Sequence, residues 1–142
     1  IAIVGIGPLE EQIHSLINHM SLQANIDLLG FLNGDDKYEV FKNSKIIVHP
    51  ATYDSGGMAT AEAMAWGLPG VSFDLEALKS YYPKGILKTE CFNLDAFANN
   101  ILYLLSDPDA HLTLSQEASN LIRDYWDWDQ QAKDIFHQVI KL

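Results

Sequence analysis

The sequence predicts an α/β fold, a parallel sheet with helices on both faces, and three observations carry that prediction. Short apolar runs alternate with amphipathic stretches of about ten residues along most of the chain, the pace of βαβ units. The runs are continuously apolar rather than alternating, as in strands buried on both faces. The 142 residues, 48% hydrophobic and 20% charged, are an ordinary globular composition sized for one core.

The elements follow in order. Ile1 to Val4 reads as a buried strand, stopped by the turn Gly5-Ile6-Gly7-Pro8. Leu9, Ile13, Leu16, Ile17 and Met20 recur at spacings of three and four, which predicts an amphipathic helix, and Glu10 and Glu11 suit its positive end. Ile26 to Gly30 is a short strand, and Asp35-Asp36 opens a helix reaching Ser44, as a helix start rather than a ligand pair. Ile46 to His49 is a strand ended by Pro50. Met58 to Trp66, rich in alanine and methionine, is a helix closed by Gly67-Leu68-Pro69. Gly70 to Phe73 is the next strand, followed by a helix near Ala77 to Tyr81 and a strand Ile86 to Lys88. Leu94, Phe97, Ile101, Leu104 and Leu105 form an apolar stripe, and Ser106-Asp107-Pro108-Asp109 combines a turn with a cap. Two helices remain, Pro108 to Arg123 and Asp129 to the end, the last with Ala132, Ile135, Phe136, Val139 and Ile140 on one face.

Composition also excludes function classes. Nine basic and 19 acidic residues give a net charge of −10, which disfavours nucleic acid and anionic lipid as partners. Cys91 is the single cysteine, so no internal disulfide and no cysteine-rich zinc site can form, and a reducing, cytoplasmic setting is the economical expectation. No spacing of His, Asp or Glu resembles a metal cage, and no apolar run approaches the roughly 18 residues of a membrane helix. The chain opens on Ile1 inside an apolar run, which leads to the expectation of a longer polypeptide.

Ligands of open parallel sheets bind beyond the carboxyl ends of the strands, and two loops qualify. Gly5-Ile6-Gly7-Pro8 either lines a ligand or only makes a tight turn. It lacks the third glycine of a dinucleotide fingerprint, because Glu10 stands there, and a dehydrogenase reading falls accordingly. In Asp54-Ser55-Gly56-Gly57 the glycines remove side chains where a helix begins, so a phosphate could approach the N–H groups of Gly57, Met58 and Ala59; the alternative is a flexible connection. Glu62 is a lone carboxylate in an apolar helix, on the scale of a nucleoside from Gly57, where two ribose hydroxyls would satisfy it. His49 is either a hydrogen-bonded core residue or part of the site; His14 and His19 are read as solvated, and Trp66, Trp126 and Trp128 as core or interface residues.

Asp54-Ser55-Gly56-Gly57-Met58-Ala59-Thr60-Ala61-Glu62-Ala63-Met64-Ala65, then Gly67-Leu68-Pro69, resembles the E-x7-E signature of retaining glycosyltransferases of family four in the GT-B fold. Ile3 to Pro8, Leu29-Gly30-Phe31-Leu32, His49-Pro50-Ala51 and Tyr125-Trp126-Asp127-Trp128 extend the resemblance over essentially the whole chain. It implies a Rossmann-like, three-layer domain, with residues 1–142 an incomplete C-terminal nucleotide-sugar-binding domain whose N-terminal acceptor domain and first strand-helix unit lie outside this sequence.

By the same resemblance, Glu62 matches the acid that binds the donor ribose, and Asp54 the catalytic acid facing the donor sugar. Ser55, Gly56, Gly57 and Met58 match the loop that meets sugar and diphosphate, and Gly5 and Gly7 the loop near the nucleotide. The implied reaction transfers a sugar from a nucleotide-diphosphate donor to a hydroxyl with retention, using no metal and no cofactor. The implied partners are the nucleotide sugar and the N-terminal domain of the same chain, with membrane contact only through other parts. Asp54 departs from the family's glutamate by one methylene, and the family's Arg and Lys before this segment have no counterpart here, leaving helix dipoles and Lys79, Lys84 or Lys88 to meet diphosphate charge. In the resembled fold the final helix crosses toward the N-terminal domain, so part of its apolar stripe is expected to pack outside this chain. The rival readings are a nucleotide-sugar epimerase of the same fold and a catalytically silent binding half.

Overall fold

The computed structural model describes residues 1–140, and the last two positions of the expected C-terminal helix lie outside them. The described residues fall into two compact units, Ile1–Asn43 and Ser44 onward.

In the first unit β1 (Ala2–Ile3) pairs in parallel with β2 (Asp27–Leu28), in the register Ala2 with Asp27 and Ile3 with Leu28. Helix α1 (Glu10–His19) lies between them in the chain, and α2 (Gly34–Lys42) follows. The expected burial of the first strand is not met. Ile1, Ile3 and Val4 are exposed, and among the described residues of this unit only Ile17 is fully buried. Two strands of two residues and two short helices carry too little mass to cover both faces of a sheet.

The second unit holds a parallel sheet in the order β3 (Ile47–His49), β4 (Gly70–Phe73), β5 (Ile86–Thr89). His49 stands beside Ser72, and Ser72 beside Lys88. Each crossover contains a helix, α3 (Met58–Ala65) and then α4 (Glu76–Tyr81). Three helices complete the unit: α5 (Leu94–Ser106), α6 (Pro108–Tyr125) and α7 (Trp128–Ile140). Asn93 caps α5 by accepting the N–H of Ala96, and Asp107 caps α6 by accepting those of Asp109 and Ala110 ahead of Pro108 at the first turn.

Two apolar clusters form the core. Ala61, Met64, Leu78, Tyr82, Ile86, Ala118 and Ile122 join α3, α4 and α6 to β5, whereas Val71, Phe73, Phe97 and Leu104 join β4 to α5, with Leu87 packed against them. Consecutive strand residues point to opposite faces, so Ile86 and Leu87 assign the clusters to the two sides of the sheet. That is the expected three-layer arrangement. On α5, Leu94 and Leu105 turn outward while Phe97 and Leu104 are buried. On α7, no residue is buried, and Ile135, Phe136, Val139 and Ile140 are each more than 60% exposed. Among the described residues, no helix is long and apolar enough to cross a membrane.

Candidate functional site

The loop from His49 at the end of β3 to Met58 at the start of α3 carries Asp54, Ser55, Gly56 and Gly57. Asp54 Oδ1 accepts the N–H of Gly56 at 2.9 Å and of Gly57 at 2.7 Å, and its Oδ2 meets His49 Nε2 at 2.9 Å. A carboxylate can only accept, so Nε2 carries the shared proton; Nδ1 of the same ring is buried without a partner. The N–H groups of Gly56 and then Gly57 hold the Asp54 carboxyl below the usual carboxylate range, with His49 adding to them and partial burial opposing. His49 therefore belongs to the site as well as to the part-buried edge of the sheet.

Tyr82, the residue closing α4, approaches the same loop from below. Its hydroxyl lies 2.7 Å from the carbonyl oxygen of Gly56 and 2.9 Å from that of Gly57. Burial pushes the phenol up to about 12, so the group remains a donor. Gly57 adopts a left-handed conformation with φ +59°, and a Cβ there would stand 3.1 Å from both Leu78 Cδ2 and Tyr82 Cε2. A Cβ on Gly56 would meet nothing within 4 Å.

These distances change part of the expectation. The N–H of Gly57, assigned from the sequence to a phosphate, is donated to Asp54, and the space beside Gly57 is filled by the protein rather than left for a ligand. The open approach is at Gly56, ahead of the first-turn N–H groups of Met58 and Ala59. Ser55 and Met58 are exposed on this loop. Four residues beyond Met58, Glu62 is half-buried between Ala61 and Ala63, which are both buried, so the helix does not present it on a wholly solvated face.

Gly5 and Gly7 lie in the first unit and line an apolar cavity of about 300 Å³ with Ile3, Ile6, Leu28 and Gly30. The backbone N–H of Gly5 is donated to the carbonyl of Gly30 at 2.7 Å.

Of the three lysines expected to offer positive charge, Lys79 is paired with Glu76 at 2.9 Å and reaches Asp74 at 3.8 Å. Lys88 is partly buried, and desolvation lowers its pKa. Lys84 lines a separate cavity with Glu117 and Asp124. Among the described residues, no group of three or more His, Cys, Asp or Glu is placed to hold a metal ion. His14 and His19 are exposed, as are Trp66 and Trp128, while Trp126 packs against the core.

Nothing in the sequence singles out Tyr82 for this loop or names the partner of His49. Tyr82 is 25 residues from Gly57 with no spacing to connect them; the only signal was a tyrosine in an otherwise unremarkable helix end.

Parallel strands joined by helices, with the acid-bearing glycine loop at the carboxyl end of β3, define a Rossmann-like α/β architecture. The chain belongs to the group 1 glycosyltransferases: the family described as "Glycosyl transferases group 1" matches residues 1–121. It is 26% identical over 144 residues to the uncharacterized glycosyltransferase MJ1607 of Methanocaldococcus jannaschii, covering 94% of this chain and 35% of that protein. Among solved structures, it is similar to Anabaena Alr3699/HepE in complex with UDP-glucose, with a TM-score of 0.84 at 19% identity over 99% of this chain and 40% of that one. It is also similar to the sucrose-phosphate synthase tll1590 from Thermosynechococcus elongatus, with a TM-score of 0.81 at 20% identity over 99% and 38%. The fold is thus the C-terminal half of the GT-B architecture, and the chain spans about a third of the length of the curated relatives it matches (35%).

Proposed function

We propose that this chain is the donor-binding part of a glycosyltransferase that moves a sugar from a nucleotide-diphosphate donor to a hydroxyl acceptor, with retention of anomeric configuration. The observation that carries the reading is the acid-bearing glycine loop Asp54 to Gly57, running directly into an apolar helix whose one carboxylate, Glu62, is half-buried. Membership in the family and a fold shared with a protein solved with UDP-glucose support it.

In this reading Glu62 accepts the ribose hydroxyls. Gly56 leaves room for the diphosphate at the positive end of α3, where Met58 and Ala59 offer N–H groups. Asp54 keeps one edge for the donor sugar: Oδ1 is taken by the loop, but Oδ2 has a second lone pair beyond His49, and the side chain is 27% exposed. Ser55 stands beside it in the chain. As the glycosidic bond breaks, the charge growing on the leaving diphosphate meets fixed dipoles, and the acceptor oxygen enters on the same face of the sugar while its proton passes to the departing phosphate oxygen. The step needs no metal and no cofactor. The acceptor-binding N-terminal domain and further positive charge belong to the longer cytoplasmic polypeptide of which this chain is a part.

The test is the product. The full-length protein incubated with UDP-glucose, ADP-glucose or GDP-mannose and a hydroxyl acceptor should yield a glycoside whose anomeric configuration, read by proton NMR, matches the donor. An inverted product contradicts retention. A free, altered sugar indicates an epimerase, and donor binding without turnover indicates a silent half.

A further inference from the structure

We propose that Tyr82 is a positioning residue for the donor loop: its buried hydroxyl, shared between the carbonyls of Gly56 and Gly57, sets the direction in which the Met58 N–H faces a ligand. The inference rests on the donor-binding reading of that loop and goes beyond it by assigning a residue outside the signature.

In a trans peptide the carbonyl and the following N–H point to opposite sides of the chain, and no peptide bond among the described residues is cis. The Gly56 carbonyl is aimed at the Tyr82 hydroxyl, 2.7 Å away, so the Gly57 N–H must leave on the other side. It does, meeting Asp54 Oδ1 at 2.7 Å. The Gly57 carbonyl is aimed at the same hydroxyl, 2.9 Å away, so the Met58 N–H is likewise turned away from Tyr82 and out of the core. That carbonyl also accepts from Thr60 at 2.8 Å and Ala61 at 3.1 Å, which ties the peptide plane to the first turn of α3.

Tyr82 is suited to the task. It is 0% exposed, and its ring lies directly under Gly57, occupying with Leu78 the space a side chain would need. Its high pKa keeps the proton on the hydroxyl. The ring thus fixes where the loop sits, and the hydroxyl fixes how two successive peptides are turned. Changing Tyr82 to phenylalanine removes the second function and keeps the first.

The experiment compares wild type with Tyr82→Phe in the full-length protein, using whichever of UDP-glucose, ADP-glucose and GDP-mannose wild type binds most tightly and its matching nucleoside as control. Calorimetry should show the affinity for the nucleotide sugar falling at least fivefold and that for the nucleoside changing less than twofold. Amide exchange at Gly57 should be faster. A second variant, Leu78→Ala, thins the same shelf but keeps the hydroxyl, and should leave the ratio of the two affinities at its wild-type value. Unchanged donor affinity in Tyr82→Phe, equal losses for donor and nucleoside, or a ratio lowered by Leu78→Ala would each overturn the proposal. If wild type binds none of the three nucleotide sugars, the donor reading itself fails. Amide exchange then decides the role of Tyr82: an unchanged rate at Gly57 overturns it, and a faster one upholds it as the residue that sets the loop.

Discussion

Two loops of this chain carry a pair of glycines after a parallel strand, and they are built differently. Gly57 is held at φ +59° with Leu78 and Tyr82 against the place of its absent Cβ, and the carboxylate of Asp54 binds both its N–H and that of Gly56. Gly7 has no such conformation and nothing within 4 Å of its Cβ position; Gly5 has φ +139° but equally open space. The protein itself requires a glycine at 57 and does not require one at 7. A glycine needed by neither backbone nor packing is a candidate for ligand approach, whereas one needed by both says little about a ligand.

Substitutions at the two glycines should behave differently. Gly57→Val combines left-handed backbone strain with a clash against Tyr82 and Leu78, and should destabilise by about 3 kcal/mol or more, read as a fall in the urea midpoint. Gly7→Ala should leave stability unchanged or raise it by up to about 1 kcal/mol, so a loss of nucleotide affinity in that variant would report on the ligand alone. A large destabilisation by Gly7→Ala would erase the contrast.

Asp54 tests the built loop by its pH response. Its folded pKa lies below the ordinary 3.8, so its contribution to stability is present above about pH 4 and is lost as pH falls through the folded value. Between pH 5 and pH 3 wild type should lose more stability in urea melts than Asp54→Asn, which has no such proton to bind. Parallel losses would show that the carboxylate is not held by the loop.

The smallest effect belongs to α7. Phe136 is 63% exposed, so Phe136→Glu should change the stability of this chain by no more than about 0.5 kcal/mol. A melting temperature lower by several degrees would place the stripe in a packed core.

Much of the fold was legible because its signals are local. The three- and four-residue spacing in α1 and α5, the cap Asp107 and the breaker Gly67-Leu68-Pro69 each act within a few residues, and every expected helix and strand is present among the described residues. Burial was less legible. The apolar run Ile1 to Val4 reads as a buried strand, yet only its partner elements decide whether anything covers it. At the site, Asp54, Gly56, Gly57 and Glu62 stand out through type and spacing. Their contacts do not: Asp54 turning inward to His49, and Tyr82 reaching back 25 residues to the loop, are products of tertiary packing that no local pattern encodes.

If α3 and its loop hold a nucleotide sugar, Glu62 is the residue whose loss is felt first in donor binding. Charge-assisted hydrogen bonds are worth roughly 1.5 to 3 kcal/mol, so Glu62→Gln in the full-length protein should weaken donor binding about tenfold or more in calorimetry. Nucleotide-sugar affinity equal to that of wild type would contradict the account.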